Sequence, residues 1–274
     1  MDEVDIKEAG MKLTWLWILL IGVALFFVSD VALQGTNNPN YFPTVIMLGA
    51  FVIPISFVSY FYEHIRDRDI PLSVLGACFL VGGGVGTVAA GILEYSTLTS
   101  SSVASLFGVG FIEELVKLII PLALFVGWRY RHQADGLLFG VTVGMGFAAL
   151  ETMGYALVSL IQSQGDVGSM NQILLIRGLL SPAGHAAWTG IVCAVLWGER
   201  QRSGRIDINW KVIAAFILAV LLHSAWDIVN SQNSNLVAYG GMLVLAIISL
   251  GVLIALYRQA RKNPALPLTE QTAQ

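Results

Sequence analysis

Charge is what this sequence most lacks. Asp, Glu, Lys and Arg make up 12% of its 274 residues, against about 25% in ordinary soluble domains. Apolar residues reach 56%, and the mean hydropathy is +0.73, so a soluble globular domain is excluded. Cysteine is nearly absent as well. Cys78 and Cys193 stand far apart inside apolar stretches without CxxC spacing; they read as packing residues, not as a disulfide or a thiolate metal site. A net charge of −3 and a pI of 5.8 leave no basic surface for nucleic acid. Familiar hydrolase signatures are missing too. There is no HExxH, no GxSxG context around Ser100, Ser101 and Ser102, and no intramembrane aspartate pair, because Asp227 stands alone.

What the chain has instead is length of apolar run. A helix needs about 20 apolar residues to cross the hydrocarbon of a bilayer. Eight stretches meet that rule, at about 13–33, 43–62, 71–93, 101–127, 136–161, 171–198, 208–230 and 235–257. The loops between them are short. The expectation is an all-α polytopic membrane helix bundle forming one domain over 1–274, with a flexible tail at 258–274. The first run follows the acidic MDEVDIKEAG and lacks a small-residue cleavage pattern, so it reads as a retained helix. Thirteen Lys and Arg, from Lys7 and Lys12 through Arg66, Arg129 and Arg200 to Lys262, fall in alternate loops and tails, and none in the loops opposite. By the positive-inside rule both termini are cytoplasmic and eight is the number of crossings.

Against this background a few ionisable residues stand out, because a charge at bilayer depth costs about 2.5–3.5 kcal/mol on insertion scales. Their contexts are FIEELVK (111–117), FAALE (147–151), GHAAW (184–188) and HSAWD (223–227). At about 1.5 Å of rise per residue, Glu113, Glu151, His185 and His223 all fall roughly 12–21 Å below the outer ends of their helices. Four successive spans therefore offer carboxylates and imidazoles to one layer. Glu113 and Lys117 are four apart and can neutralise each other, whereas Glu114 is turned about 100° away and is expected to find a different partner. Asp227, four after His223, can fix the tautomer of that ring or line the mouth of the chamber. Gly136, Gly140, Gly144 and Ala148 form a small-residue stripe that lets the helix bearing Glu151 approach a neighbour closely. Gly108, Gly110 and Pro121 predict a bend or local unwinding beside Glu113. Arg177 is placed near the outer end of its span, snorkelling to the interface, and Trp188, Trp197, Trp210 and Trp226 read as packing or anchoring residues.

Taken together, these motifs resemble the PrsW family of bacterial intramembrane proteases, which shares a superfamily with the type II CAAX prenyl endopeptidases. The pattern is EExxK, here Glu113-Glu114-Leu115-Val116-Lys117, then an FxxxEN-like motif, here Phe147 to Glu151, then the embedded histidines His185 and His223. Thr152 stands where family members usually have Asn. The prenyl endopeptidase branch has histidine at the position of Glu151, so the chain is more similar to PrsW. The motif-bearing helices cover about 101–230.

The resemblance implies an intramembrane endopeptidase in a bacterial cell (inner) membrane, acting on a membrane-embedded protein substrate such as an anti-sigma factor. Glu113, Glu114, Glu151, His185 and His223 are the expected catalytic groups, with Lys117 and Asp227 in support. Two chemistries stay open. Glu113 or Glu114 can serve as general base with histidine assistance, or Glu151, His185 and His223 can hold a catalytic zinc. A proton-coupled transporter or channel would use the same buried groups. However, no internal repeat is visible, and the charged groups appear confined to spans four to seven, leaving the first three without a polar path.

Overall fold

Prolines, glycines and short polar residues decide where these apolar runs break. The computed structural model describes residues 13–65, 70–98 and 102–262. Helix α1 (Thr14–Thr36) ends at Asn37, whose left-handed backbone, φ 50°, returns its N–H to the Leu33 carbonyl. A 3₁₀ turn at Pro39–Tyr41 leads into α2 (Phe42–His64). Helices α3 (Leu72–Ala77) and α4 (Gly83–Thr97) form one rod through a π turn at Cys78–Gly82. The next span is in two pieces, α5 (Val103–Lys117) and α6 (Ile119–Val126). Pro121 explains the break: it has no N–H for the Lys117 carbonyl, and its ring crowds that oxygen.

Helix α7 (Gln133–Gln162) is uninterrupted. Asp166 then caps α8 (Val167–Leu180) by accepting from the N–H groups of Gly168 and Ser169 at 3.0 and 3.2 Å. A π turn over Pro182–Ala186, with Gly184 out of helical geometry (φ −96°, ψ −115°), joins α8 to α9 (Ala187–Ser203). Helix α10 (Trp210–Asn230) and helix α11 (Asn235–Lys262) are the last of the described elements.

The all-α polytopic bundle is thus present, and no strand occurs among the described residues. Among the described residues, seven rods are long and apolar enough to cross a membrane. The eighth expected span is the broken pair α5–α6. Helix α11 carries Arg258, Arg261 and Lys262 within it, so residues 258–262 of the expected tail are helical, and 263–274 lie outside the described residues. The topological charges Lys7, Lys12, Arg66 and Arg68 also lie outside them. Arg200 is not a free loop charge. It is buried, its guanidinium donates to the carbonyls of Phe125 and Tyr130, and it lies over the Phe125 and Trp197 rings. This clamps the α6–α7 connection onto α9.

Helix α7 is the axis of the bundle, packed by α9, α2, α8 and α4. Lipid tails give helices no hydrophobic reason to associate, so close approach through small residues has to supply the packing. The glycine stripe does this against α9. A Cβ at Gly136 would fall 2.6 Å from the Cys193 carbonyl oxygen, one at Gly140 would fall 2.6 Å from that of Thr189, and one at Gly144 would collide with the His185 carbonyl. The opposite face of α7 is equally tight, with Gly146 set against the backbone of Phe79. The stripe therefore fixes the distance between the helix carrying Glu151 and the segment carrying His185.

Candidate active site

Several of the polar side chains reach the centre from a helix that is broken, bulged or stripped of side chains there, whereas His223 comes from the regular helix α10. Lys117 is the last residue of α5, His185 sits in the π turn, and Glu151 follows the glycine stripe. Local π geometry recurs at functional sites because it re-aims side chains, and here it turns the His185 ring towards α5 and α7.

Lys117 is wholly buried and is the hub. Its ammonium lies 3.1 Å from Glu113 Oε2, 2.8 Å from Glu114 Oε1 and 2.8 Å from His185 Nδ1, with the Phe147 ring 4.2 Å away. The two glutamates were expected to have different partners, but they share this one, because positions three and four before a lysine both lie within its reach. Glu114 also accepts from Thr189 at 3.3 Å and lies 2.9 Å from His223 Nδ1. His223 Nε2 faces Glu113 Oε2 at 3.5 Å. Glu151 Oε2 is 3.0 Å from His185 Nε2 and 2.6 Å from Arg177 Nη2.

These contacts set the tautomers. An ammonium can only donate, so His185 Nδ1 accepts from Lys117 and a neutral ring carries its proton on Nε2, towards Glu151. A carboxylate only accepts, so His223 donates from Nδ1 to Glu114, and in a neutral ring the Nε2 lone pair faces Glu113. Sequence spacing pointed to Asp227 as the orienting acid of His223. Its Oδ2 is 3.6 Å from Nε2, beyond a hydrogen bond, and Glu114 holds the ring instead. Trp188 stacks on the His223 ring, centroids 4.5 Å apart and 24° between planes, and is tied by its N–H to Ser249 at 3.1 Å. It is therefore part of the site wall, beyond the packing role expected of it.

The groups open onto a cavity of about 550 Å³, walled in part by Glu94, Glu113, Glu151, Arg177, His223 and Asp227. That volume falls within the usual range of ligand sites, about 300–1,000 Å³. Three features here escaped the sequence reading. Glu94, from α4, borders the cavity, and Asp30, buried in α1, accepts from Asn171 and Gln34 at 2.7 Å each, so polar groups also occur in the first three spans. Arg177 is well inside α8, paired with Glu151, and not at the interface. Tyr155, on the cavity wall and under the Arg177 guanidinium, was detectable as the residue four after Glu151.

For a metal, the structure selects within the expected groups. Among the described residues, Glu113, His185 and His223 each offer a ligand atom within 4.8 Å of the others. Glu151 lies outside that triplet and contacts His185 from the far side. Glu/His/His is a donor set that suits catalytic zinc with one position left open. Glu113 and His185 Nδ1 already share one cation, the Lys117 ammonium, so a metal held by the same lone pairs would take the place of that contact. Glu114 behind His223 is the carboxylate–histidine support that such ligands use. The residues present fit the group.

A multi-helix membrane bundle in which carboxylates and imidazoles converge on one cavity has the parts that an intramembrane hydrolase needs. Residues 70–256 match the model of the PrsW family intramembrane metalloproteases, and the chain belongs to that family. It is 24% identical over 199 residues to Protease PrsW of Bacillus subtilis (strain 168), covering 70% of this chain and 86% of that one. It is also 23% identical over 208 residues to Protease PrsW of Geobacillus kaustophilus (strain HTA426), covering 73% and 87%. No solved structure matches the chain. The protein is an intramembrane peptidase.

Proposed function

We propose that this peptidase hydrolyses a bond in a membrane-embedded protein substrate in the bacterial cell membrane, with a single-span anti-sigma factor as the substrate type in regulated proteolysis. The carrying observation is the meeting of Glu113, His185 and His223 within 4.8 Å beside a cavity that also admits Glu151. Glu113, His185 and His223 would hold zinc, which when bound makes water a nucleophile near neutral pH and polarises the scissile carbonyl. Glu151, across the cavity, takes the proton from the attacking water. As the C–N bond breaks it returns a proton to the leaving amine. Glu114 keeps the His223 Nε2 lone pair turned inward, and Lys117 balances the two α5 carboxylates. Trp188 and Phe147 exclude bulk water from the rings they cover.

The test is cleavage of a single-span substrate by purified protein in liposomes. Glu151→Gln, His185→Asn and His223→Asn should each lower the rate by about 10²–10⁴-fold, the range for losing a general base or its equivalent, and a chelator should abolish cleavage. Full cleavage by all three variants would contradict the proposal. If liposomes without substrate show a proton flux that these variants abolish, the transport reading wins.

A further inference from the structure

The mechanism above gives no task to Arg177, yet it makes three contacts in the cavity wall. Its Nη2 is 2.6 Å from Glu151 Oε2, its Nε donates to Thr152 Oγ1 at 3.4 Å, and its guanidinium lies 4.3 Å from the centre of the Tyr155 ring. All three partners come from one turn of α7, while Arg177 itself comes from α8, so the contacts cross between helices. The Glu151 oxygen that it grips is the one 3.0 Å from His185 Nε2. A carboxylate held from only one side can rotate about its last bond. Ion-pair contacts from an arginine and an imidazole that converge on one oxygen restrict that rotation.

From this geometry we infer that Arg177 is a positioning residue for the peptidase reaction: it fixes the Glu151 carboxylate against His185 so that the proton acceptor is aligned before substrate arrives. Thr152 and Tyr155 act through it, by orienting the guanidinium plane. The inference rests on the reading of Glu151 as the group that handles the proton. It also explains how a threonine serves beside that glutamate. Thr152 is buried, and its hydroxyl receives the arginine's third anchoring contact. Arginine suits this task better than lysine, because its planar fork can face a carboxylate and a ring together.

A displacement of about 1 Å in a reacting group can cost about 10²-fold in rate, which sets the expected scale. In liposomes with a single-span transmembrane substrate, Arg177→Met should lower kcat about 10²-fold with KM little changed. Arg177→Lys should recover part of that loss. Thr152→Val should cost less than either. Because Arg177→Met leaves Glu151 buried without its partner and can impair folding, the Glu151→Gln and Glu151→Gln/Arg177→Met proteins are measured beside it. The double variant should be no slower than Glu151→Gln alone, since positioning matters only while there is a carboxylate to position.

Losses that multiply in the double variant, or a change confined to KM, would overturn the inference in favour of packing or of direct substrate contact. A normal rate in Arg177→Met with an inactive Glu151→Gln would also overturn it. Full activity in Glu151→Gln would instead remove the proton-handling role on which the inference stands.

Discussion

Helices α1 and α7 cross the same apolar layer, yet they solve opposite problems. Helix α1 has a mean hydropathy of 2.5 and only 17% of its spanning residues buried, while α7 has 1.5 and 83%. The less hydrophobic helix is the more deeply buried one. Water would drive the greasiest surface inward, but lipid removes that preference and leaves packing and polar pairing to decide what lies inside. Helix α1 accordingly shows Trp17, Phe27 and Val31 outward. Helix α7 spends its surface on glycines that admit backbone and on Glu151, which needs partners that only other helices can provide.

Substitutions on the two helices should therefore differ by orders of magnitude. Beyond the rate losses expected at Glu151, His185 and His223, exchanges such as Val31→Leu on the lipid face of α1 should leave cleavage unchanged. A large loss there would break the contrast. Lys117→Met is expected to be the most damaging change to stability. It leaves two buried carboxylates uncompensated, a loss of about 3–5 kcal/mol for a broken buried pair, read by thermal unfolding in detergent. Unfolding at the wild-type temperature would show that the glutamates had been balanced by something else.

Glycine substitutions sharpen the comparison on a smaller scale. Gly140→Val forces side-chain atoms into the backbone of Thr189 and should cost about 1–3 kcal/mol or more. Gly251→Ala, at a position with open space around it, should stay within about 0.5 kcal/mol. Equal effects at the two sites would deny that close approach holds α7 in place.

The smallest effect lies at the membrane edge. The Asp166 carboxyl is held below its ordinary range by the Ser169 hydroxyl and by the Gly168 and Ser169 N–H groups. Such a group favours the folded helix start above its unfolded pKa and loses that contribution as pH falls through the lower, folded one. Hydrogen-exchange protection in the first turn of α8, taken relative to the intrinsic rate at each pH, should therefore fall as the medium is acidified below the ordinary aspartate range, and should not do so in Asp166→Asn.

The fold was readable because eight apolar runs and the alternation of loop charge are one-dimensional signals. The convergence of the polar groups was foreshadowed too, since a carboxylate in an apolar run stands out. Partnership within a helix was readable for Glu113 and Lys117, but partnership between helices was not. Asp227 has helical spacing to His223, but Glu114 takes that ring from another helix. Arg177 appeared near an interface because the start of α8 was placed at 171, four residues beyond its actual first residue. Asp30 and Glu94 were passed over because each sits near the end of its run, where a charge is cheap in lipid. Their partners and surroundings exist only once α8 and the cavity have formed. The break at Lys117 was foreshadowed by Pro121, whereas the π turn that aims His185 has Pro182 and Gly184 as its only trace.

The central claim is that Glu113, and not Glu151, joins His185 and His223 in holding the metal, leaving Glu151 free to move protons. Metal content per chain, measured on purified protein after zinc loading and buffer exchange, tests it most directly. The account predicts one zinc in the wild type, a loss of it in Glu113→Gln, His185→Asn and His223→Asn, and full retention in Glu151→Gln despite its inactivity. Zinc lost from Glu151→Gln but kept by Glu113→Gln would contradict it.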